Sequence, residues 1–400
     1  MLRFSLAMRV PLLDLSAQYQ ALAGPIRRQI DEVLQTQRFI LGPKVEQFES
    51  ALCDHTGAKF AIGVSSGTDA LLAVLMVLEI GAGDAIITTP YSFFATAACI
   101  ARVGATPLFV DIDPTTFNIS AAALRSFIEK NCQQTDGVLM TRERQAVRVI
   151  VPVHLFGLCC DMDAIMEIAR EFGLLVVEDA AQAIGAGYPQ TDAIGSAGTI
   201  GDVGCFSFYP SKNLGAAGDA GAIICDNENL AARIRICRQH GMEPRYHHQF
   251  IGGNFRLDEL QAAILQVKLP HLANWSAARR AAADFYREEF SRRKLGESII
   301  LPSEPYRERI GNHHIYHQFI IRAEARDELR AHLTRNEIGT EIYYPVPLHL
   351  QECFFYLGYK EGDLPEAERA AAETLALPIY PELSREAQRF VVDKIAEFYI

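Results

Sequence analysis

Between residues 58 and 225, short β-branched runs alternate with helical stretches, and this alternation restricts the fold more than any other feature of the chain. The runs lie at 59–64, 85–89, 106–110, 147–153, 174–178, 205–209 and 221–225, with helical patterns such as 69–78 and 162–171 between them. Strands separated by helix-length segments cannot pair as hairpins. They form a mostly parallel sheet with helices on both faces, here of seven strands. Ligands bind such sheets beyond the carboxyl ends of the strands, so residues just after each run are the first candidates for function. Before this region, 18–37 reads as an amphipathic helix followed by the turn Leu41-Gly42-Pro43. After it, helices at 257–268 and 275–293 are separated at Pro270. The last hundred or so residues change character, with a strand-like stretch at 316–321, a helical one at 325–336 and the proline-punctuated Tyr344-Pro345-Val346-Pro347. This predicts a large domain over 1–270 and a smaller C-terminal α/β domain, entered through a linking helix, over 271–400. There is no internal repeat and no low-complexity stretch.

At 400 residues and 49% hydrophobic content the chain can bury a sizeable core. A net charge of -11 speaks against a nucleic-acid partner, because phosphate binding wants a basic surface. No run of 18 apolar residues offers a membrane span, and the apolar part of Met1–Met8 is too short for a secretory signal. The nine cysteines are an odd number in apolar contexts. The adjacent pair Cys159-Cys160 fits neither a zinc site nor a disulfide framework. They read as reduced core residues of a cytoplasmic protein with no metal site.

Two residues at strand ends carry the chemistry. Lys212 follows the run at 205–209 in Ser207-Phe208-Tyr209-Pro210-Ser211-Lys212-Asn213, and Asp179 ends the run at 174–178 in Glu178-Asp179-Ala180-Ala181-Gln182. Pyridoxal 5′-phosphate needs these two groups. A lysine amine condenses with its aldehyde, and a carboxylate keeps its pyridine nitrogen protonated so that the ring draws electrons. A solvated lysine and a helix N-cap are the ordinary readings of each residue alone; their pairing in this order disfavours both. Ser65-Ser66-Gly67-Thr68-Asp69 follows a strand and opens a helix. Its small residues let backbone N–H groups approach an anion, although a plain Ser/Thr cap has the same look. Ser207 adds a hydroxyl near Lys212. One of Tyr91, Phe93 and Phe94 can stack on the pyridine ring, but periodicity does not choose among them. Gln182, one turn after Asp179, can reach the ring hydroxyl, and His154 reads as a supporting residue. The segment 252–263 starts with two glycines and Asn254 and then turns helical, without a decisive signature of its own.

Taken together, Ser66-Gly67-Thr68-Asp69-Ala70-Leu71, Glu178-Asp179-Ala180-Ala181-Gln182, the segment 207–215 around Lys212, and Asn254-Phe255-Arg256-Leu257-Asp258-Glu259-Leu260-Gln261-Ala262-Ala263 resemble the DegT/DnrJ/EryC1/StrS sugar aminotransferases, from about Leu12 to the C-terminus. The resemblance implies the fold-type I aminotransferase architecture and a homodimer with active sites at the subunit interface. It also implies transfer of an amino group, usually from L-glutamate, to a keto sugar on a nucleoside diphosphate, for surface polysaccharide or glycoside biosynthesis. By position, Lys212 resembles the cofactor-bearing lysine and Asp179 the partner of the ring nitrogen. Ser66, Gly67, Thr68 and Ser207 resemble the phosphate binders, Phe93 the stacking aromatic, and Gln182 the neighbour of the ring hydroxyl. Asn254 resembles an asparagine sent from the partner subunit to the cofactor phosphate. Tyr316 and His349 fall in segments that border the sugar nucleotide. Relatives that act as sugar dehydratases carry histidine in place of the lysine, so Lys212 favours transamination. The loop His240–His248 is similar to that of members acting at carbon 3. The competing expectations are an amino-acid aminotransferase on the same fold and a non-catalytic regulatory relative, which should have lost Lys212 or Asp179.

Overall fold

A computed structural model describes residues 8–190 and 193–399; the stretch Met1–Met8, read as too short for a secretory signal, lies almost wholly outside them. The strands in chain order are β1 Phe60–Val64, β2 Asp84–Thr88, β3 Thr106–Phe109, β4 Cys132–Thr135, β5 Val138–Thr141, β6 Ala146–Val151, β7 Leu175–Asp179, β8 Gly187–Pro189, β9 Ile194–Ser196, β10 Val203–Ser207, β11 Gly221–Cys225, β12 Ile299–Ile300, β13 Phe319–Ala323 and β14 Thr374–Leu377. The large sheet runs β1-β11-β10-β7-β6-β2-β3, the seven strands expected from the sequence. Along this path the pairs are parallel except at β11, which runs against both β1 and β10.

Both faces of the sheet are covered, and single strands show it. In β6, Val147 and Ile150 enter one core while Val149 and Val151 enter the other; Val176 and Val177 of β7 divide the same way. Strands buried on two sides read as continuous apolar runs, which is why they were legible in the sequence. The helix Gly67–Val77 is apolar nearly all round because it lies under other elements, and each of its buried leucines contributes about 1.5–3 kcal/mol.

The sheet has nine strands rather than seven. β4 and β5 form a hairpin attached to β6. Asp136 and Gly137 connect them with φ of 51° and 80°, the doubly left-handed turn that an Asp-Gly pair supplies.

A second, antiparallel sheet, β12-β13-β14, packs with the helices Leu272–Arg292, Arg326–Arg335 and Arg385–Tyr399 around a core that includes Tyr286, Phe319 and Val391. Val10 pairs with Ile338 and joins that core, so the beginning of the described chain is stitched to its C-terminal part. Six of the nine cysteines are buried and Cys353 is exposed, which corrects the expectation that all are core residues. Among the described residues no helix is long and apolar enough to cross a membrane.

Register decides where function can gather. Val153 pairs with Asp179, and Asp179 with Cys205, so the carboxyl ends of β6, β7 and β10 lie side by side. Ser207 pairs with Gly221, and Gly221 with Val64, which brings the end of β1 to the same edge.

Candidate active site

At that edge lies a cavity of about 550 Å³. Lys212, Asp179, Gln182, Ser207, Phe93 and the Ser66-Gly67-Thr68 turn all line it, although they come from four separate segments. The backbone accounts for the convergence. Ser66 caps the helix Gly67–Val77 by accepting the Asp69 N–H at 3.0 Å. The next two segments press on this turn so closely that a Cβ at Gly67 would sit 2.7 Å from the Ser207 Cβ. One at Gly221 would sit 2.5 Å from the Ser66 carbonyl. Only glycine allows a serine-lined turn and two strand ends to meet there. The loop bearing Lys212 is closed by two backbone bonds, Lys212 N–H to the Tyr209 carbonyl and Ala216 N–H to the Phe208 carbonyl, each 2.8 Å.

Asp179 is buried. Thr96 Oγ1 donates to its Oδ2 at 2.7 Å, and the Ala181 N–H donates to Oδ1 at 3.2 Å. Burial pushes its pKa up, opposed by these hydrogen bonds and by the charge of Lys212. Burial also lowers Lys212 to about 8, against the attraction of Asp179. An amine poised there gains and loses a proton readily near neutral pH, as proton transfer at carbon requires.

The three aromatic candidates separate cleanly. The Tyr91 hydroxyl is hydrogen-bonded to Thr374 at 2.7 Å and its ring is buried, while Phe94 packs on Phe354. Phe93 alone of the three lines the cavity, 61% exposed. Both ends of the Gln182 amide are engaged: Oε1 accepts the Phe156 N–H at 2.8 Å and Nε2 donates to the Tyr344 hydroxyl at 2.7 Å. The side chain is thus held rigidly at the wall. His154 is fully buried. Its Nε2–H donates to Glu178 at 2.6 Å and its Nδ1 accepts the Cys160 N–H at 3.1 Å, so the ring is fixed as a neutral tautomer. It supports β6 and β7 and does not face the cavity.

Three expected residues are not brought to the cavity by this chain. Asn254 is exposed, held through its backbone against Gln239, and its side chain makes no hydrogen bond among the described residues. Tyr316 points instead into the C-terminal core, where its hydroxyl donates to Glu304 and its ring stacks on His314 at 3.9 Å. His349 is buried and donates to Glu368 at 3.1 Å. Sequence reasoning in turn missed His317, Gln318 and Tyr343, all in the cavity wall. His317 bonds Asn213 at 3.1 Å, one residue from Lys212, and burial beside that lysine keeps it neutral well below its usual range. Its position next to Tyr316 in an aromatic and histidine-rich run was the only available signal.

These residues suit a phosphorylated pyridine aldehyde. A turn rich in N–H groups and serine hydroxyls, an amine, a buried carboxylate and an exposed aromatic face all line the same cavity.

Residues 21–396 match the DegT/DnrJ/EryC1/StrS aminotransferase family. A protein named pleiotropic regulatory protein from Geobacillus stearothermophilus is 47% identical over 392 residues, covering 98% of this chain and 99% of that one. A UDP-N-acetyl-3-dehydro-alpha-D-glucosamine 3-aminotransferase from Acidithiobacillus ferrooxidans is 40% identical, covering 94% of each chain. The crystal structure of a DegT DnrJ EryC1 StrS aminotransferase from Brucella abortus shares the fold with a TM-score of 0.87 at 36% identity, over 97% of this chain and 99% of that one.

Proposed function

The chain belongs to the DegT/DnrJ/EryC1/StrS aminotransferase family, and from that premise we propose that it transfers an amino group from L-glutamate to the keto carbon of a nucleoside-diphosphate sugar, at carbon 3. The observation that carries the reading is the presence of Lys212 and Asp179 in one cavity wall, 33 positions apart in sequence and joined by the register of β7 and β10. The 3-aminotransferase named above and the loop His240–His248 support the choice of carbon.

Pyridoxal phosphate, when bound, supplies the electron sink that makes the C–H beside the transferred nitrogen acidic. The protein's own residues do the rest. Ser66, Gly67, Thr68 and Ser207 hold the phosphate with backbone and hydroxyl donors, Phe93 covers the ring, and Gln182 lies near its hydroxyl. Asp179 keeps a proton on the ring nitrogen. Lys212 Nζ would hold the aldehyde carbon, and its amine would move the proton between the carbon bearing the transferred nitrogen and that former aldehyde carbon.

Asn254 reaches the phosphate of the neighbouring subunit in a homodimer. Its exposure and unspent amide support this, as does the exposure of Tyr246 and Ile251 nearby. The protein acts in the cytoplasm, where nucleotide sugars are made. The division into parts at residue 270, with the strand contact of Val10 attached to the second part, belongs to the same proposal.

A second reading, a regulatory relative without catalysis, is favoured only by the name of the Geobacillus protein. It does not explain why both Lys212 and Asp179 face the cavity. Mass spectrometry of products from a panel of 3-keto and 4-keto sugar nucleotides, with glutamate as donor, tests the proposal. A mass change of one amino-for-oxo exchange on a 3-keto sugar is expected. No exchange with any sugar nucleotide by cofactor-loaded protein would reject it.

A further inference from the structure

We propose that Thr96, backed by Ser92, is a positioning residue of this site: its hydroxyl fixes the Asp179 carboxylate in orientation and keeps the shared proton on the cofactor's ring nitrogen instead of on the carboxylate. The inference rests on the reading of Asp179 as the partner of that nitrogen.

Three observations carry it. Thr96 is buried in the first turn of the helix Ala95–Arg102, and its Oγ1 lies 2.7 Å from Asp179 Oδ2, across 83 residues of sequence. An ionised carboxylate only accepts, so the hydroxyl must donate, and its own lone pairs are left to receive a donor. Ser92 Oγ stands 3.1 Å away and itself lines the cavity. The chain Ser92 to Thr96 to Asp179 is therefore polarised in one direction, each hydroxyl strengthening the next donation. Finally, the two carboxylate oxygens are held separately, one by Thr96 and one by the Ala181 N–H, which fixes the plane of the group toward the cavity.

Such a device is needed because burial alone favours the neutral acid. The Thr96 hydroxyl is foremost among the groups that oppose burial at Asp179, ahead of the Ala181 N–H and Lys212. The other titratable groups around Asp179 are Tyr344, Cys99 and Cys205, all three raised by burial and uncharged at neutral pH, and among the described residues none of them is hydrogen-bonded to the carboxylate. A carboxylate deprived of Thr96 becomes more basic and draws the proton from the ring nitrogen.

The test is the 15N resonance of ring-labelled pyridoxal phosphate in the loaded protein at neutral pH. In the wild type it should stand at the protonated position. Thr96→Val should move it toward the unprotonated position, with a change of about tenfold in the proton's distribution, the effect of one charge-assisted hydrogen bond. Thr96→Ser should return it. Ser92→Ala should shift it in the same direction by about two- to threefold, through the weakened hydroxyl chain. This variant decides the matter if Thr96→Val does not fold. An unmoved resonance in Thr96→Val, or in Ser92→Ala where it stands in, while Asp179→Asn does move it, overturns the role of Thr96. An unmoved resonance in Asp179→Asn as well would show instead that Asp179 is not the partner of the ring nitrogen, and the inference would fall with that reading.

Discussion

The cavity wall and the loop at 240–254 are both well ordered internally, but they spend their side chains differently. In the wall, Asp179, Gln182 and His317 each have protein partners, and glycines are placed where three segments touch. The loop is also cross-bonded: Gln249 N–H donates to the Gly241 carbonyl at 2.7 Å and Glu243 N–H to the His247 carbonyl at 2.8 Å. Its side chains, however, face water. Tyr246 is 75% exposed and Ile251 86%. A stiff loop that holds large apolar groups and an unbonded Asn254 in solvent is built to meet something outside its own fold. The partners of these wall residues lie within one chain, whereas under the proposed dimer the loop would meet another.

The wall should therefore be intolerant of change inside a single subunit. Lys212→Ala removes the amine that holds the cofactor and moves the proton, and turnover should fall by at least about four orders of magnitude, the scale of a lost nucleophile. In the wild type, borohydride reduction followed by peptide mapping should place the cofactor on the peptide containing Lys212. A label elsewhere would remove the premise. Asp179→Ala should still bind cofactor but lose at least about two orders of magnitude in turnover, as when a preorganised charge is deleted. Near-normal turnover would show the buried carboxylate to be structural. Gly67→Ala is a smaller lesion. The added Cβ would lie 2.7 Å from the Ser207 Cβ, so the turn must back away from the strand end. Cofactor affinity, measured by fluorescence titration, should weaken about tenfold, the effect of a modest overpacking strain. Unchanged affinity would mean that the two segments do not jointly hold the phosphate.

What the sequence disclosed follows the same division. Seven strands were legible because burial on both faces makes their runs continuous, and Lys212, Asp179, Ser66 and Ser207 were legible because a strand end announces each of them locally. The β4–β5 hairpin escaped because Cys132-Gln133-Gln134-Thr135 is polar and largely exposed, although Asp136-Gly137 marked its turn. Thr96 carried no local signal, and His317 only its place beside Tyr316, since each acquires its meaning from a partner about a hundred residues away. The sequence points to Tyr316, but its neighbours His317 and Gln318 face the cavity instead. The backbone at Tyr316 is left-handed, with φ of 44°, and this reversal sends its ring into the C-terminal core; no periodicity reveals such a twist.

The loop should answer to a different experiment, with the smallest departure from wild-type activity and the sharpest bearing on the contrast. Asn254→Asp places a carboxylate where the amide is expected to meet the cofactor phosphate, and like charges repel, so this variant alone should be inactive. Lys212→Ala is inactive for its own reason. If Asn254 serves the neighbouring subunit, a mixed dimer of the two variants contains one site with both lesions and one with neither. Random exchange makes half the dimers mixed, so activity should return to about a quarter of the wild-type value. If Asn254 serves its own subunit, every site keeps one lesion and mixing restores nothing. Light scattering and tagged pull-down establish that each variant dimerises and exchanges. Verified mixed dimers without activity would then reassign Asn254 to its own chain. The loop would lose its proposed purpose, while the chemistry of Lys212 and Asp179 would stand, because the contacts that hold Asp179, from Thr96 and Ala181, lie within one subunit.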